Sequence, residues 1–379
     1  MLEKPQQRGP KFFLALALAL PILAAGVLSA CGGDDSTDQS AEAEESTSQE
    51  PLSTKVLLSY PEGPAWIGLP TAREVGFLEE ENLEVETEAA DGSDFVMQQV
   101  IADNVPYGFA ATTSVLIGAE QDPSLRSVFC NTVRNIFGIS VPGGSEISDL
   151  AAFEGAVLGI SEQGGGETPM VEAALLDAGL TPGEDVELLP IGGSGPASQR
   201  AIEKGDVDGY ASSYTDIIAL QAGGVDLVDI TPEKYRNIPG DCLVVKEESL
   251  NDTAVRDEIV RLARAWSKGS LYATSNPERA LEISCESFPE DCTDEAFAEG
   301  YMNTRLELLT PAGASIGQTE TPYGQPPVEG WQIAMELLVD SDQLSGPIDV
   351  EGIMATPEVE EVLAEWSDYD REEIKEQAE

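Results

Sequence analysis

Short apolar runs alternate with amphipathic stretches along most of the chain, in the strand–loop–helix order of an α/β body. Residues 55–60 read as a buried first strand, stopped by Pro61-Glu62-Gly63-Pro64. Residues 65–75 carry Trp66, Leu69 and Ala72 on one helical face, with Pro70 limiting the regular part to the residues after it. A second strand spans 84–88, and Asp91-Gly92-Ser93-Asp94 caps a helix that reaches Asp103. Residues 126–133 and 135–141 form strand, polar turn and strand, ended by Pro142-Gly143-Gly144-Ser145. The order then restarts: a short helix from Ile147, strands at 156–160, 185–190 and 227–230, and helices at 170–178 and 197–204. Beyond Pro239-Gly240-Asp241 the pattern is mainly helical, at 254–273, 277–284, 295–308, 330–339 and 358–369. Trp66, Trp266, Trp331 and Trp366 all fall on helical stretches, which makes them core candidates, and Trp66 alone follows the mouth of a strand.

Two segments echo each other at a constant offset. Ile101 falls on Ile202, Gly108 on Gly209, Phe109 on Tyr210, and Thr112-Thr113-Ser114 on Ser213-Tyr214-Thr215. Each reads as a helix end, a polar turn, a short strand and a hydroxyl-rich loop. Loops at the carboxyl ends of strands in open α/β sheets are where ligands bind, so the echo points to two similar lobes facing one cleft. The alternative is a chance likeness of two αβ units.

The first residues change the picture. Lys4, Arg8 and Lys11 precede an apolar run, residues 12–27, and then Leu28-Ser29-Ala30-Cys31. Basic, apolar and small-residue regions in that order describe a secretory signal over 1–30, and the last four residues resemble a bacterial lipobox with Cys31 as the lipidated residue; the alternatives are an ordinary signal peptide and an uncleaved membrane helix, which Pro21 and Gly26 would interrupt. Residues 31–53 are mostly Ser, Thr, Glu, Asp, Gln and Ala. Too little apolar surface exists there to offset ordering entropy, so this stretch is expected to be a tether. The chain then works on the extracytoplasmic face of a membrane.

Charge and composition exclude several functions. Among 379 residues, 70 are acidic and 20 basic, for a formal net charge of -50. Nucleic acid and anionic lipid surfaces are repelled. There is no histidine, which removes His-based triads and His-ligated zinc. No metal or cofactor site is expected. Cys130, Cys242, Cys285 and Cys292 would sit in an oxidising compartment, where three pairings are open; sequence neighbours favour 285–292 with 130–242. Gly164-Gly165-Gly166-Glu167-Thr168-Pro169 opens a helix, and free amides at such a start suit a carboxylate, sulfonate, phosphate or polar ring substituent. The alternative there is a plain β–α loop.

With these residues in place, the chain resembles the ABC-transporter solute-binding proteins of the nitrate/sulfonate/taurine and thiamine-pyrimidine-precursor type. The phrases that carry the likeness are Val75-Gly76-Phe77-Leu78-Glu79-Glu80-Glu81-Asn82-Leu83, Phe137-Gly138-Ile139-Ser140-Val141-Pro142, Leu150-Ala151-Ala152-Phe153-Glu154-Gly155 and Lys204-Gly205-Asp206-Val207-Asp208-Gly209. The Ala265-Trp266 helix with Asn276-Pro277-Glu278 adds to them. The resemblance implies a bilobed periplasmic-binding-protein fold, type II-like, with two α/β lobes joined by two crossing strands. Lobe 1 would be 54–140 plus 240–379, and lobe 2 would be 141–239. It further implies a monomer that closes on a small molecule and docks on a membrane permease, with no catalysis. The cleft-lining positions carried over are Ser59, Tyr60, Trp66, Thr112, Thr113, Ser114, Asn135, Gly165, Gly166, Glu167, Thr168, Ser213 and Tyr214.

The chain departs from the family where relatives place an aromatic–carboxylate–proline sequence and it has Ser213-Tyr214-Thr215, then Asp216. The pyrimidine-synthase branch consumes a protein histidine and is excluded. Near the expected cleft Arg134 is the one basic candidate, which favours a neutral or zwitterionic organic ligand over nitrate. Two other readings remain: a carboxylate-dependent hydrolase using Glu167 and Asp216, and an acidic surface lipoprotein without an ordered cleft.

Overall fold

The computed structural model describes residues 50–163 and 165–379. The signal segment, Cys31, the tether as far as residue 49, and Gly164 lie outside the described residues. Among the described residues, ten strands build the body. In chain order they are β1 (Leu52–Leu58), β2 (Leu83–Ala89), β3 (Tyr107–Ala111), β4 (Leu125–Cys130) and β5 (Phe137–Pro142). The second half adds β6 (Val157–Ile160), β7 (Glu187–Pro190), β8 (Gly209–Ser213), β9 (Leu227–Asp229) and β10 (Asp241–Lys246). They form two five-stranded sheets, ordered β2-β1-β3-β10-β4 and β7-β6-β8-β5-β9.

The two sheets share one topology. In the first, β3 pairs parallel with β1 and antiparallel with β10. In the second, β8 pairs parallel with β6 and antiparallel with β5. The echoing segments therefore hold the central strand of each sheet. Their hydroxyl-rich ends are not loops, however. β3 passes directly into the helix Thr112–Gln121, and β8 into the helix Tyr214–Ala222. Ser213 caps the latter by accepting the Asp216 N–H at 3.3 Å. A hydroxyl at a helix start satisfies local backbone donors, so it is drawn inward rather than out to a ligand.

The chain crosses between sheets twice, at residues 131–136 and 230–240. β5 belongs wholly to the second sheet, so the first crossing comes earlier than the expected boundary at 140. β1 likewise begins at Leu52, inside the expected tether, because Leu52 to Leu58 pair in parallel with Leu83 to Ala89. Disulfides join Cys130 to Cys242 and Cys285 to Cys292. The first links cross-strand partners of β4 and β10, at the base of both crossings.

Helices cover both sheets, and two of them fix the site. The long helix Thr253–Ser275 is capped by Asp252 and packs against Gly68–Val75 at close range. A Cβ on Gly269 would fall 2.0 Å from the Gly68 carbonyl oxygen, so glycine is what lets the two helices meet. The apolar spacing predicts one helical region over 65–75. A 3-10 turn, Pro64–Trp66, comes first instead, and the helix starts only at Gly68. Helix Val328–Asp340 packs on both Thr112–Gln121 and Thr168–Asp177, so it spans the two sheets. The apolar residues beneath them join in one continuous core. Short helices at Glu247–Asn251, Val350–Met354 and Arg371–Ala378 are not evident from the sequence; their amphipathic patterns last too few turns to show a period.

Candidate functional site

A cavity of about 620 Å³ opens where the carboxyl ends of β1, β2, β6 and β8 converge. Segments from both sheets, a crossing and a late helix wall it. Ser59 to Ala65 and Ala90 to Ser93 come from the first sheet, with Asp241 at the start of β10. Ser161, Glu162, Gly166, Glu167 and Ser212 to Asp216 come from the second, with Ile136 at the end of a crossing and Phe137 opening β5. The remaining wall is the clip around Glu290 and Asp291 together with one face of the helix Glu295–Leu309.

Of the positions expected from sequence, Ser59, Tyr60, Gly166, Glu167, Ser213 and Tyr214 line this cavity. Trp66, Thr112, Thr113, Ser114, Asn135, Gly165 and Thr168 are not among its lining residues. Trp66 is fully buried among Tyr60, Phe109 and Trp266, at ring-centroid distances of 4.8, 5.5 and 5.9 Å. The Thr112 hydroxyl donates to the Gly240 carbonyl at 3.1 Å, and Ser114 donates to Asp94 at 3.1 Å. Thr113 is buried within the same helix start. Asn135 donates to the Tyr235 carbonyl and accepts the Phe137 N–H, each at 3.0 Å, and so ties the two crossings together.

The glycine-rich helix start holds a carboxylate of the chain itself. Glu167 is buried, and its Oε1 accepts the Ser161 N–H at 3.0 Å and the Ser161 hydroxyl. A Cβ on Gly165 would fall 2.5 Å from Glu167 Oε2, so Gly165 makes room for that carboxylate and not for a ligand anion. Burial raises the Glu167 carboxyl above its ordinary pKa, against the pull of the Ser161 hydrogen bonds. The ionised form therefore costs stability wherever the folded and unfolded chains both carry the charge, above the raised folded value. The cost fades as pH falls through that value toward the unfolded one. Glu167→Gln keeps an oxygen for Ser161 and is expected to raise Tm by about 1–3 °C at pH 8. The gain should vanish near pH 4, which calorimetry across pH would check.

Tyr214 and Asp216 are held by their own partners. The Tyr214 hydroxyl donates to Asp229 at 3.0 Å and accepts from Arg236 at 3.2 Å, while Arg236 also donates to Asp229 at 2.8 Å. Burial, then the Asp229 charge, pushes the Tyr214 pKa up to about 12. Asp216 accepts from the Ser194 N–H at 2.9 Å, Ser212 at 2.7 Å and Ser213 at 2.9 Å. Thr215 reaches across to the far wall, donating to the Tyr301 hydroxyl at 2.9 Å.

The basic group of the site is Arg305 rather than Arg134. Arg134 donates to the Thr310 and Pro311 carbonyls at 2.9 and 3.2 Å, outside the cavity. Arg305 lines the cavity, is buried, and donates through Nη2 to the Ala65 carbonyl. Phe297, Tyr301, Arg305 and Leu308 share one helix face, and the Phe297 and Tyr301 rings stack with centroids 5.6 Å apart. That spacing is visible in the sequence, but an apolar stripe on a late helix reads first as core. Asp241 is hidden for a similar reason, because Pro239-Gly240-Asp241 reads as a plain connection. It is 1% exposed and accepts the Ser59 hydroxyl at 2.7 Å through Oδ1. Burial raises its pKa, opposed by the Ser59 hydrogen bond and the Arg305 charge. Among the described residues, no group of three or more His, Cys, Asp and Glu is placed to hold a metal ion.

The model of the family NMT1/THI5 like matches residues 64–280, more than half of the chain. No curated protein matches the chain in sequence. Among solved structures, a Bordetella bronchiseptica protein is 17% identical with a TM-score of 0.63, covering 84% of this chain and 98% of its own. The periplasmic aliphatic sulphonate binding protein SsuA from Escherichia coli is 14% identical with a TM-score of 0.59, covering 81% and 93%. The desulfurization enzyme DszB is 18% identical with a TM-score of 0.55, covering 82% and 99%. At these identities the structures speak for the fold, and the family match supplies the rest: the chain belongs to the NMT1/THI5-like family and carries the two-lobed α/β fold of periplasmic solute-binding proteins.

Proposed function

We propose that this chain is the solute-binding receptor of an ABC importer, anchored by a lipid on Cys31 to the extracytoplasmic face of the membrane. It takes one small organic molecule into the cavity between its lobes and presents it, as a monomer, to a membrane permease. The observation that carries this reading is the cavity itself. It lies at the carboxyl ends of strands from two sheets of like topology, and both lobes and the helix Glu295–Leu309 contribute walls. SsuA, which shares the fold, is by its name a sulphonate-binding protein, whereas DszB on the same fold is an enzyme.

The chemistry of the cavity favours binding over turnover. All four cysteines of the described residues are in disulfides, so none of these is a free thiol nucleophile. Asp216, half of the carboxylate pair a hydrolase would use, already accepts three hydrogen bonds and anchors a helix start. No described helix is long and apolar enough to cross a membrane, which fits a body held from outside itself. A thermal-shift screen of the full chain in neutral detergent tests the reading, using amines, amino acids, pyrimidines, sulfonates and nitrate. One class is expected to raise Tm by several degrees; no shift with any class, together with measurable hydrolysis, would sink it. Cys31→Ser should move the chain from the membrane fraction to the soluble one, and unchanged membrane attachment would reject the anchor.

A further inference from the structure

Two buried polar atoms on the cavity wall have no hydrogen-bond partner among the described residues. One is Asp241 Oδ2 and the other is Arg305 Nε. Buried polar atoms in folded proteins are nearly always hydrogen-bonded, and an unpaired buried carboxylate oxygen is among the costliest to leave alone. Ser59 occupies only the other oxygen of Asp241. A ligand that brings an N–H to Oδ2 would remove that cost.

The surrounding charge decides which ligand can do so. Of the carboxylates lining the cavity, Glu62 is paired with Arg73 at 2.8 Å. Among the described residues the seven others have no salt-bridge partner, and they face a single guanidinium, that of Arg305. They come from every wall: Asp91 from the first sheet, Glu162 from the second, and Glu290 and Asp291 from the disulfide-bonded clip. Tyr60, Phe137, Phe297 and Tyr301 supply aromatic surface between them. A cavity rich in one sign of charge concentrates the opposite ion and repels its own, and aromatic faces attract cations further.

Resting on the receptor reading above, we propose that the solute is an organic cation, an amine or amidine whose N–H groups bond Asp241 Oδ2. Arg305 Nε takes one acceptor atom, a hydroxyl or carbonyl oxygen, on the same molecule. This revises the expectation of a neutral or zwitterionic ligand, which rested on few cations and did not count carboxylates. It also separates the chain from sulphonate binders of the same fold. A sulfonate would leave Oδ2 unpaired and bring a like charge beside it.

Isothermal titration of the full chain in neutral detergent tests this with lysinamide, agmatine and spermidine as cations. Choline serves as the cation without N–H, cytosine as the neutral ligand, and methanesulfonate and ethanesulfonate as the sulfonates. At least one of the three N–H cations is expected to bind, and Asp241→Asn should weaken it tenfold or more while leaving Tm unchanged or higher. Asp91→Asn, at an exposed position, should weaken it by about threefold through loss of attraction alone. Binding of ethanesulfonate, methanesulfonate or cytosine in place of the cations overturns the proposal and leaves the receptor reading standing. Choline binding as tightly as the best amine, or amine affinity unmoved in Asp241→Asn, overturns it as well. Binding by no ligand overturns both readings together.

Discussion

Trp66→Ala is expected to destabilise the folded body by about 3–5 kcal/mol, the range for removing a large buried aromatic. By sequence alone, Trp66 stands at the mouth of the first strand as a ligand contact, for which loss of affinity without loss of stability would follow. Its surroundings lead to the opposite expectation. The indole is fully buried and makes edge contacts with Phe109 and Trp266, which in turn packs at 4.8 Å against Phe109. This cluster joins β3 to the helix Thr253–Ser275, so a cavity there loosens the first lobe. Denaturant titration checks it, with Phe95→Ala as the control. Phe95 is 42% exposed, and its truncation should change stability by less than about 0.5 kcal/mol. A Trp66→Ala protein as stable as the control would show that the indole does not hold the lobe together.

The Cys130–Cys242 disulfide should have an effect of similar size through a different mechanism. Its sequence separation is 112 residues, and the stretch between the two cysteines holds both crossings and the whole of the second sheet, β5 through β9. Cross-linking so long a loop removes much of the unfolded chain's freedom, and replacing both cysteines with alanine should cost about 4–5 kcal/mol. The Cys285–Cys292 clip, with a separation of 7, should contribute only about 2–3 kcal/mol by the same reasoning. Its removal is expected to alter ligand affinity more than stability, since it holds Glu290 and Asp291 at the cavity. Equal losses of stability in the two double variants would contradict this division.

Much of the fold could be read from the residues. β-branched and apolar runs such as Val56 to Leu58 and Leu243 to Val245 are buried strands, as their composition implies. The echo at 101–114 and 202–215 correctly marks equivalent elements, because hydrophobic pattern and turn residues follow topology. It could not tell which hydroxyls face a ligand. Thr112 and Ser114 are consumed by Gly240 and Asp94, partners on other segments that no local pattern reveals. The site's charge was hidden for the same reason. Asp91, Glu162, Asp241 and Asp291 are far apart in sequence and meet only after the chain has crossed between lobes twice. Residues beside strand ends, such as Ser59, Tyr60 and Ser213, were within reach because their position follows from the strands themselves.

The glycine-rich helix start shows how a local rule can be right and its application wrong. The segment has the backbone of an anion site, and a carboxylate does pack there. That carboxylate is Glu167, three residues from the first glycine of the run, so the chain supplies the anion. The consequence for function is large. With the Glu167 carboxyl packed against Gly165 and bonded to Ser161, the segment adds to the acidic wall instead of offering room to an anionic solute.

The central claim is that the cavity binds one small molecule and releases it unchanged. Proton NMR of the full chain in neutral detergent, mixed with the ligand panel and then denatured to recover what was bound, tests this directly. The expected result is a single ligand retained at one per chain and recovered with its spectrum intact. A ligand recovered as a cleaved product, or no ligand retained at all, would contradict the account.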